Sequence, residues 1–249
     1  MLDSLSFVFP MYNEIDNIGK TIAGATAAGK RMASDLEIIV VDDASTDGSG
    51  ELVDIIALDN PHLRAFHHAR NRKLGGALRT GFGHATKSWV LYIDSDLPIR
   101  MEDALAALPL TESAEMVIGY RINRCEGPKR ELMSWCYNRL VRAIFGLEVR
   151  DVNFAFKLFR RDLLRRVQLR SEGSFIDAEL LLEAQRVGCQ IAEIGMNYYP
   201  RQAGSSTLAR PGVVITLLKE LCGYLRRRPP SPAASMAADG AETVLKPCP

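Results

Sequence analysis

The stretch Val90-Leu91-Tyr92-Ile93-Asp94-Ser95-Asp96 places two carboxylates directly after a run of four apolar residues. An unbroken apolar run bounded by polar residues is typical of a parallel strand that is buried on both faces. Upstream of it, strand and helix patterns alternate. We predict strands at residues 5–9, 36–41, 63–67 and 90–93, and helices at 13–28, 49–58 and 75–86. This alternation predicts an α/β protein with a mostly parallel, doubly wound sheet flanked by helices.

Polar side chains follow the ends of three of these strands. In open parallel sheets, ligands bind beyond the carboxyl ends of the strands. We therefore expect the polar residues at these ends to lie at one edge of the sheet and to form the functional site. They are Tyr12, Asn13, Glu14, Asp42, Asp43, Asp94 and Asp96.

Asp94 and Asp96 form a candidate metal site. Mg²⁺ and Mn²⁺ prefer oxygen ligands, and Mg²⁺ usually takes one or two carboxylates together with substrate phosphates. A metal ion at this position would neutralise a diphosphate leaving group. An Asp-x-Asp pair is a weak signal by itself, because most such pairs are turn residues. Its position at the end of a buried strand strengthens the metal hypothesis.

The loop after the second strand allows two interpretations. Asp43 can accept a hydrogen bond from a nucleobase or a ribose, or it can form an Asx turn. Asp47 is more typical of a residue that caps the next helix. Glu14 either is a first-turn acid favoured by the helix dipole or faces a nucleoside. The segment 70–77 joins basic residues to a glycine pair, which suits either phosphate binding or tight helix packing.

The second half of the chain is less regular. We predict a strand at 116–119 that ends near Arg121, a helix at 130–145, a strand at 153–159, a helix at 174–187 and a strand at 189–199. The predicted organisation is a catalytic domain over residues 1–210, an amphipathic basic helix over 211–228 and a disordered tail over 229–249. The basic helix either lies at a membrane interface or packs on the core.

Composition limits the class of protein. The chain has 249 residues and a net charge of +1, which predicts no bulk attraction to nucleic acid. Basic residues are in excess over 121–170, as expected for a face that meets phosphates or an anionic surface. The five cysteines show no CxxC pair, which favours reduced thiols and a cytoplasmic location. No apolar run reaches the roughly 18–20 residues of a membrane span.

Several motifs occur in order along the chain and carry a family resemblance. They are Phe9-Pro10-Met11-Tyr12-Asn13-Glu14, Val40-Val41-Asp42-Asp43-Ala44-Ser45-Thr46-Asp47-Gly48, Asn71 to Arg79, Tyr92-Ile93-Asp94-Ser95-Asp96, Ile118-Gly119-Tyr120-Arg121, Asp151 to Phe159, and Arg201-Gln202-Ala203-Gly204-Ser205-Ser206. Over about residues 4–210 the chain resembles the family 2 inverting glycosyltransferases of the GT-A fold, especially their dolichol-phosphate mannosyltransferase-like branch.

The resemblance implies a role for each matching residue. Pro10, Tyr12, Glu14 and Asp43 would hold the nucleoside of the donor, with Asp94 and Arg121 beside its diphosphate. Asp94 and Asp96 would hold Mg²⁺ or Mn²⁺. Three basic residues that match the family, Arg121, Lys157 and Arg201, would lie near the donor or acceptor phosphate. Two departures stand out: Pro98 replaces a polar residue, and Lys73-Leu74 replaces a glycine followed by an aromatic residue.

The resemblance also implies a reaction. A hexose would move with inversion from a nucleotide-diphosphate sugar (GDP-mannose or a UDP-sugar) to a polyprenyl phosphate at the cytoplasmic face of a membrane. A phosphate acceptor is already anionic, so it needs no strong base. Asp177 and Glu179 are the candidates if a base is required, and otherwise they are surface acids of a helix. Alternatives are a glycan or other lipid acceptor, or a non-catalytic nucleotide-sugar-binding subunit. A membrane partner subunit stays open.

Overall fold

The computed structural model describes residues 1–123, 128–199 and 211–227. Within them lies one seven-stranded sheet with the order β3-β2-β1-β4-β6-β5-β7. The strands are β1 (Leu2–Met11), β2 (Ala33–Asp42), β3 (Leu63–His67), β4 (Trp89–Ile93), β5 (Met116–Arg121), β6 (Phe156–Arg160) and β7 (Ile191–Met196). Strands β1 to β4 are parallel to one another, β6 runs antiparallel to its neighbours β4 and β5, and β5 and β7 are parallel. The predicted mostly parallel sheet is confirmed.

Helices cover both faces of the sheet. They are α1 (Ile18–Met32), α2 (Ser49–Asp59), α3 (Lys73–His84), α4 (Pro128–Phe145), α5 (Leu163–Arg166), α6 (Ile176–Arg186), α7 (Pro211–Arg227) and a 3-10 helix (Met101–Glu112). The side chains of a strand alternate between the two faces. Phe7 and Phe9 therefore pack with α1, α2 and the 3-10 helix, whereas Val8 packs in a second core with α3, α4, α6 and α7. The doubly wound arrangement is confirmed.

The sequence predicted a helix from Asn13, but this prediction is wrong for residues 13–17. Helix α1 begins at Ile18, because residues 13–17 are tied to the loop that follows β2. Asn13 has a φ of 55°, its N–H donates to the Ser45 hydroxyl, and its side-chain oxygen accepts from the Thr46 N–H. Strand β6 likewise begins at Phe156 rather than at residue 153, and the sequence did not predict the 3-10 helix.

The second half of α7 packs on the domain. Leu221 and Tyr224 are buried, and the Tyr224 hydroxyl donates to Glu183 on α6. The Tyr224 ring lies edge-on to Phe145 of α4, with 5.6 Å between the ring centroids. Core packing, one of the two alternatives for this helix, therefore holds for its second half. The predicted tail at residues 229–249 lies outside the described residues.

A short loop before α6 forms hydrogen bonds both to α7 and to the start of α3. Glu220 of α7 accepts hydrogen bonds from the backbone N–H groups of Glu172 (3.1 Å) and Gly173 (2.6 Å). The Glu172 carbonyl in turn accepts from the N–H of Gly75 at 2.7 Å and from the N–H of Gly76 at 3.3 Å. A Cβ at Gly75 would lie 2.2 Å from the carbonyl oxygen of the residue before Glu172. The glycine pair therefore serves close packing at this contact.

Candidate active site

The turn that carries Asp94 and Asp96 is fixed on two sides. It begins directly after β4, at the edge where the parallel strands β1, β2 and β4 end, which we call the carboxyl edge. The Ser95 hydroxyl donates to the carbonyl of Pro10 at 2.9 Å, and the Thr21 hydroxyl donates to the carbonyl of Ser95 at 2.8 Å. Strand β1 and helix α1 therefore hold the two carboxylates in place.

Tyr92 supports this turn from inside the sheet. Its hydroxyl donates to Asp94 Oδ1 at 3.1 Å, and its side chain is fully buried. Burial raises the pKa of Tyr92 well above its ordinary value, and the negative charges of Asp177, Asp94 and Asp96 add to this effect. The hydroxyl therefore keeps its proton and remains a donor to Asp94.

The proposed nucleoside residues lie at the same edge. Pro10 stands near the end of β1, and Tyr12 follows the strand with 48% of its surface exposed. Glu14 accepts a hydrogen bond from the Asn17 side chain at 2.7 Å. Asp43 is buried directly after β2, and its N–H donates to the carbonyl of Met11. The structure therefore brings Pro10, Tyr12 and Asp43 to the carboxyl edge.

Asp47 has the structural role that the sequence favoured. One of its oxygens accepts from the N–H of Ser49 at the start of α2, and the other accepts from the N–H of Ile15. This carboxylate therefore caps α2 and ties together the loops that follow β1 and β2.

Lys157 and Asp177 form a buried ion pair. Strand β6 runs antiparallel to β4, so its first residues lie at the carboxyl edge, and Lys157 is the register partner of Tyr92. Lys157 Nζ lies 2.6 Å from Asp177 Oδ1 and also donates to the carbonyl of Phe154. Burial raises the pKa of Asp177, and the Lys157 charge offsets only part of that effect. Each charge therefore depends on the other for compensation.

Arg121 forms a second ion pair, with Asp151. Its Nε lies 2.7 Å from Asp151 Oδ2 and its second terminal nitrogen lies 3.0 Å from Oδ1, a bidentate geometry. The guanidinium also lies near the rings of Phe154 and Tyr198, at 5.6 and 5.5 Å from their centroids. Arg201, the third basic residue of the sequence hypothesis, lies outside the described residues.

The alternative of surface acids is wrong for Asp177 and Glu179. Both lie on α6 as predicted, but their exposed fractions are 4% and 1%. The Glu179 carboxylate accepts from the N–H groups of Arg170 (2.9 Å) and Ser171 (2.8 Å). Glu179 therefore fixes the loop before α6 and is unsuited to act as a base.

Sequence reasoning missed Tyr92 and His68. A tyrosine in a fully buried strand needs a partner for its hydroxyl, and that signal was present in the motif around Asp94. His68 lies directly after β3 and contacts Asp43, with 2.7 Å between its Nδ1 and Asp43 Oδ1. A histidine at a strand end next to the proposed site is the corresponding signal.

The donor set at the carboxyl edge fits a divalent cation that a substrate helps to bind. Within the described part of the chain, no group of three or more His, Cys, Asp or Glu side chains could hold a metal ion. Asp94 and Asp96 supply two carboxylates, which matches the one or two that Mg²⁺ usually takes beside phosphate oxygens. The residues present therefore fit Mg²⁺ or Mn²⁺ together with a diphosphate.

Solved structures place the fold in a class. Glucosyl-3-phosphoglycerate synthase from Mycobacterium tuberculosis, in complex with phosphoglyceric acid, has a TM-score of 0.67 and 22% identity; the match covers 87% of this chain and 79% of that one. The same enzyme with Mn²⁺ and UDP-glucose has a TM-score of 0.66 and 21% identity, over 89% of this chain and 79% of that one. The protein has the GT-A fold of nucleotide-sugar glycosyltransferases.

The family follows from the sequence match. The family model described as glycosyl transferase family 2 matches residues 6–168, so the chain belongs to glycosyl transferase family 2. It is a glycosyltransferase enzyme rather than a non-catalytic subunit, and the resemblance stated above is confirmed.

Three glycosyltransferases of known name are similar to this chain in sequence. An undecaprenyl-phosphate mannosyltransferase from Micrococcus luteus is 27% identical over 215 residues, covering 81% of this chain and 86% of the relative. A dodecaprenyl-phosphate galacturonate synthase from Rhizobium johnstonii is 28% identical, covering 81% of this chain and 61% of the relative. Glycosyltransferase AglD from Haloferax volcanii is 29% identical over 79% of this chain, which spans only 33% of that protein.

Proposed function

We propose that this protein transfers a hexose, with inversion, from a nucleotide-diphosphate sugar to a polyprenyl phosphate in a reaction that requires a divalent metal. The observation that carries the proposal is the carboxyl edge, where Asp94 and Asp96, the residues that we assign to the nucleoside and two basic side chains meet. Two relatives bear names of enzymes that act on polyprenyl phosphates, which supports this acceptor class.

The donor would lie along the carboxyl edge. Pro10, Tyr12, Glu14 and Asp43 would bind the nucleoside, and Asp94 and Asp96 would hold the metal beside the diphosphate. When bound, the metal would stabilise negative charge on the departing diphosphate. Tyr92 would orient Asp94, because its hydroxyl donates a hydrogen bond to one oxygen of that carboxylate.

The state of the acids favours an acceptor that needs no strong base. Asp177 is paired with Lys157, and Glu179 is bonded to two backbone N–H groups. A hydroxyl of a glycan loses a proton when it attacks, whereas a phosphate monoester is already anionic near neutral pH. Of the two acceptor classes, the polyprenyl phosphate is therefore the better fit. Arg121 and Lys157, and Arg201 beyond the described residues, would stabilise phosphate charge.

Transfer of sugar from a panel of labelled nucleotide sugars to a short polyprenyl phosphate, with Mn²⁺ or with EDTA, tests the proposal. We expect a lipid-linked product that is lost with EDTA. A product formed only on a glycan or another lipid would refute the acceptor, and a lipid product that persists with EDTA would refute the metal requirement.

The outer side of α4 is suited to a membrane surface. The α4 apolar face consists of Met133, Leu140 and Ile144, which lie at helical spacing and are each at least 36% exposed, and Trp135 is exposed on the opposite side of the helix. Arg139 lies over the Trp135 ring at 5.7 Å, and the exposed Arg226 and Arg227 end the adjacent helix α7. Apolar residues bordered by arginines bind interfaces of anionic lipid. No helix in the described ranges is both long and apolar enough to span a bilayer. We infer peripheral attachment at the cytoplasmic face.

Replacing Leu140 and Ile144 together by Ser is expected to weaken binding to anionic vesicles at least ten-fold, because two apolar side chains leave the interface. Co-sedimentation with vesicles that contain phosphatidylglycerol measures the change. The matched control replaces Ile55 and Leu58, two exposed residues of α2, by Ser and should bind as the native chain does. Equal loss in both variants would contradict a specific surface on α4.

Tyr92→Phe is expected to lower the affinity for Mn²⁺, measured with a nucleoside diphosphate present, by about 10–100-fold, since Asp94 loses the donor that orients it. Titration of free Mn²⁺ by electron paramagnetic resonance gives the affinity without an activity assay. Tyr120→Phe, the same change in β5, is the control. Unchanged Mn²⁺ affinity in Tyr92→Phe would show that Tyr92 has only a packing role.

A further inference from the structure

The two carboxylate oxygens of Asp43 differ in the hydrogen bonds that they accept. Oδ1 accepts the N–H of Arg72 at 2.7 Å and lies 2.7 Å from Nδ1 of His68. Because a carboxylate only accepts hydrogen bonds, Nδ1 of His68 must carry the proton and donate it. A carboxylate oxygen has two lone pairs, so these two bonds saturate Oδ1. Among the described residues, no donor bonds to Oδ2.

The surroundings of His68 fix its hydrogen bond to Asp43. Its side chain is 8% exposed, and its Nε2 lies 2.9 Å from the hydroxyl of Thr80 on α3. The other donor to Oδ1 is a backbone N–H immediately before α3, which cannot swing away. The imidazole is thus bonded at both nitrogens, and Asp43 presents a single acceptor atom at the carboxyl edge.

The bases of nucleotide donors differ in what they offer such an atom. Guanine carries adjacent N1–H and N2–H donors, which match both oxygens of a carboxylate. Uracil carries one N3–H donor between two carbonyls, which matches one oxygen. The corresponding ring nitrogens of cytosine and adenine are acceptors and would be repelled by the carboxylate. A guanine here would leave one donor without a full partner, and unpaired polar groups in a buried site are penalised strongly.

We propose that the His68–Asp43 pair makes the donor site selective for uracil over guanine, so that the sugar donor is a UDP-sugar. The inference rests on the proposed function, because it requires a nucleoside against Asp43. His68 acts in it as a positioning residue, which occupies Oδ1 and leaves Oδ2 for the N3–H of the base.

Binding of UDP and of GDP to the full chain by isothermal titration calorimetry, each with Mn²⁺, tests the proposal. We expect the native chain to bind UDP at least ten-fold more tightly than GDP. His68→Phe releases one lone pair of Oδ1 and should reduce this ratio at least three-fold, whereas His68→Asn keeps an N–H donor near Asp43 and should preserve it. The matched control is His67→Phe, because His67 bonds to Asp42 and Asp54 instead.

Each outcome of this titration decides a different point. GDP binding as tight as UDP binding in the native chain would overturn the proposal without any variant. A UDP preference that is the same in His68→Phe and the native chain would overturn the role of His68. If neither diphosphate binds while the chain is folded, the proposed function itself fails and this inference with it.

Discussion

Asp96→Asn is expected to lower the rate of sugar transfer by about 10²–10³-fold, the size of effect seen when one electrostatic contact to the reacting charge is removed. The amide keeps the shape of the carboxylate but loses the charge that a divalent cation requires. Initial rates at saturating donor, with Mn²⁺ varied, measure the effect. The loss should persist at high Mn²⁺ if Asp96 acts on the chemical step as well as on metal binding.

The control for this variant is Asp59→Asn, at the exposed end of α2. Both variants should unfold thermally near the native midpoint, since Asp96 sits in a turn that Ser95 and Pro10 hold by other bonds. A rate for Asp96→Asn within ten-fold of the native rate would rule out its assignment as a metal ligand.

Lys157→Met is expected to lower the free energy of unfolding by about 3–5 kcal/mol at neutral pH, because it leaves Asp177 buried without its counter-charge. Denaturant titration at pH 7 measures the loss. The double variant Lys157→Met with Asp177→Leu removes both charges and should recover most of the stability. A double variant as unstable as the single one would show that packing, rather than the unpaired charge, causes the loss.

The same pair predicts a dependence on pH with a defined sign. The pKa of Asp177 is raised in the folded state from its ordinary value of 3.8. Between pH 3.8 and the raised pKa, the folded chain therefore keeps the Asp177 proton that the unfolded chain has lost. Over that window stability falls as pH rises. Lys157→Met removes the charge that opposes the shift and raises the pKa of Asp177 further. The deficit of the variant should therefore be smaller at pH 5 than at pH 7, and a deficit independent of pH would contradict this account.

The parallel half of the fold was predictable from sequence because its signals are local. Each strand there is a short apolar run with a helix pattern behind it, and the acids at strand ends follow from the same reading. Strand β6 gave no local sign that it inserts antiparallel between β4 and β5. Its register, with Lys157 opposite Tyr92, depends on contacts between segments far apart in the chain.

The site divides in the same way. Asp94, Asp96 and Asp43 follow strands directly, so their meeting at one edge was predictable from topology. The partners of the basic residues were not. Asp177 and Asp151 come from the start of α6 and the segment before β6, and only the folded chain shows that they neutralise Lys157 and Arg121. The basic second half is thus less positive at the carboxyl edge than its composition suggests.

The contact between α7, the loop at 171–173 and α3 limits which segments of this protein can be replaced by segments of another protein. Glu220 holds the loop, and the loop holds the N–H groups of Gly75 and Gly76 beside the segment that supplies the Arg72 N–H to Asp43. Helix α7 is therefore not an exchangeable module. We therefore expect a chimaera that replaces everything after residue 210 to disturb the placement of the Arg72 N–H against Asp43, whatever segment takes the place of α7.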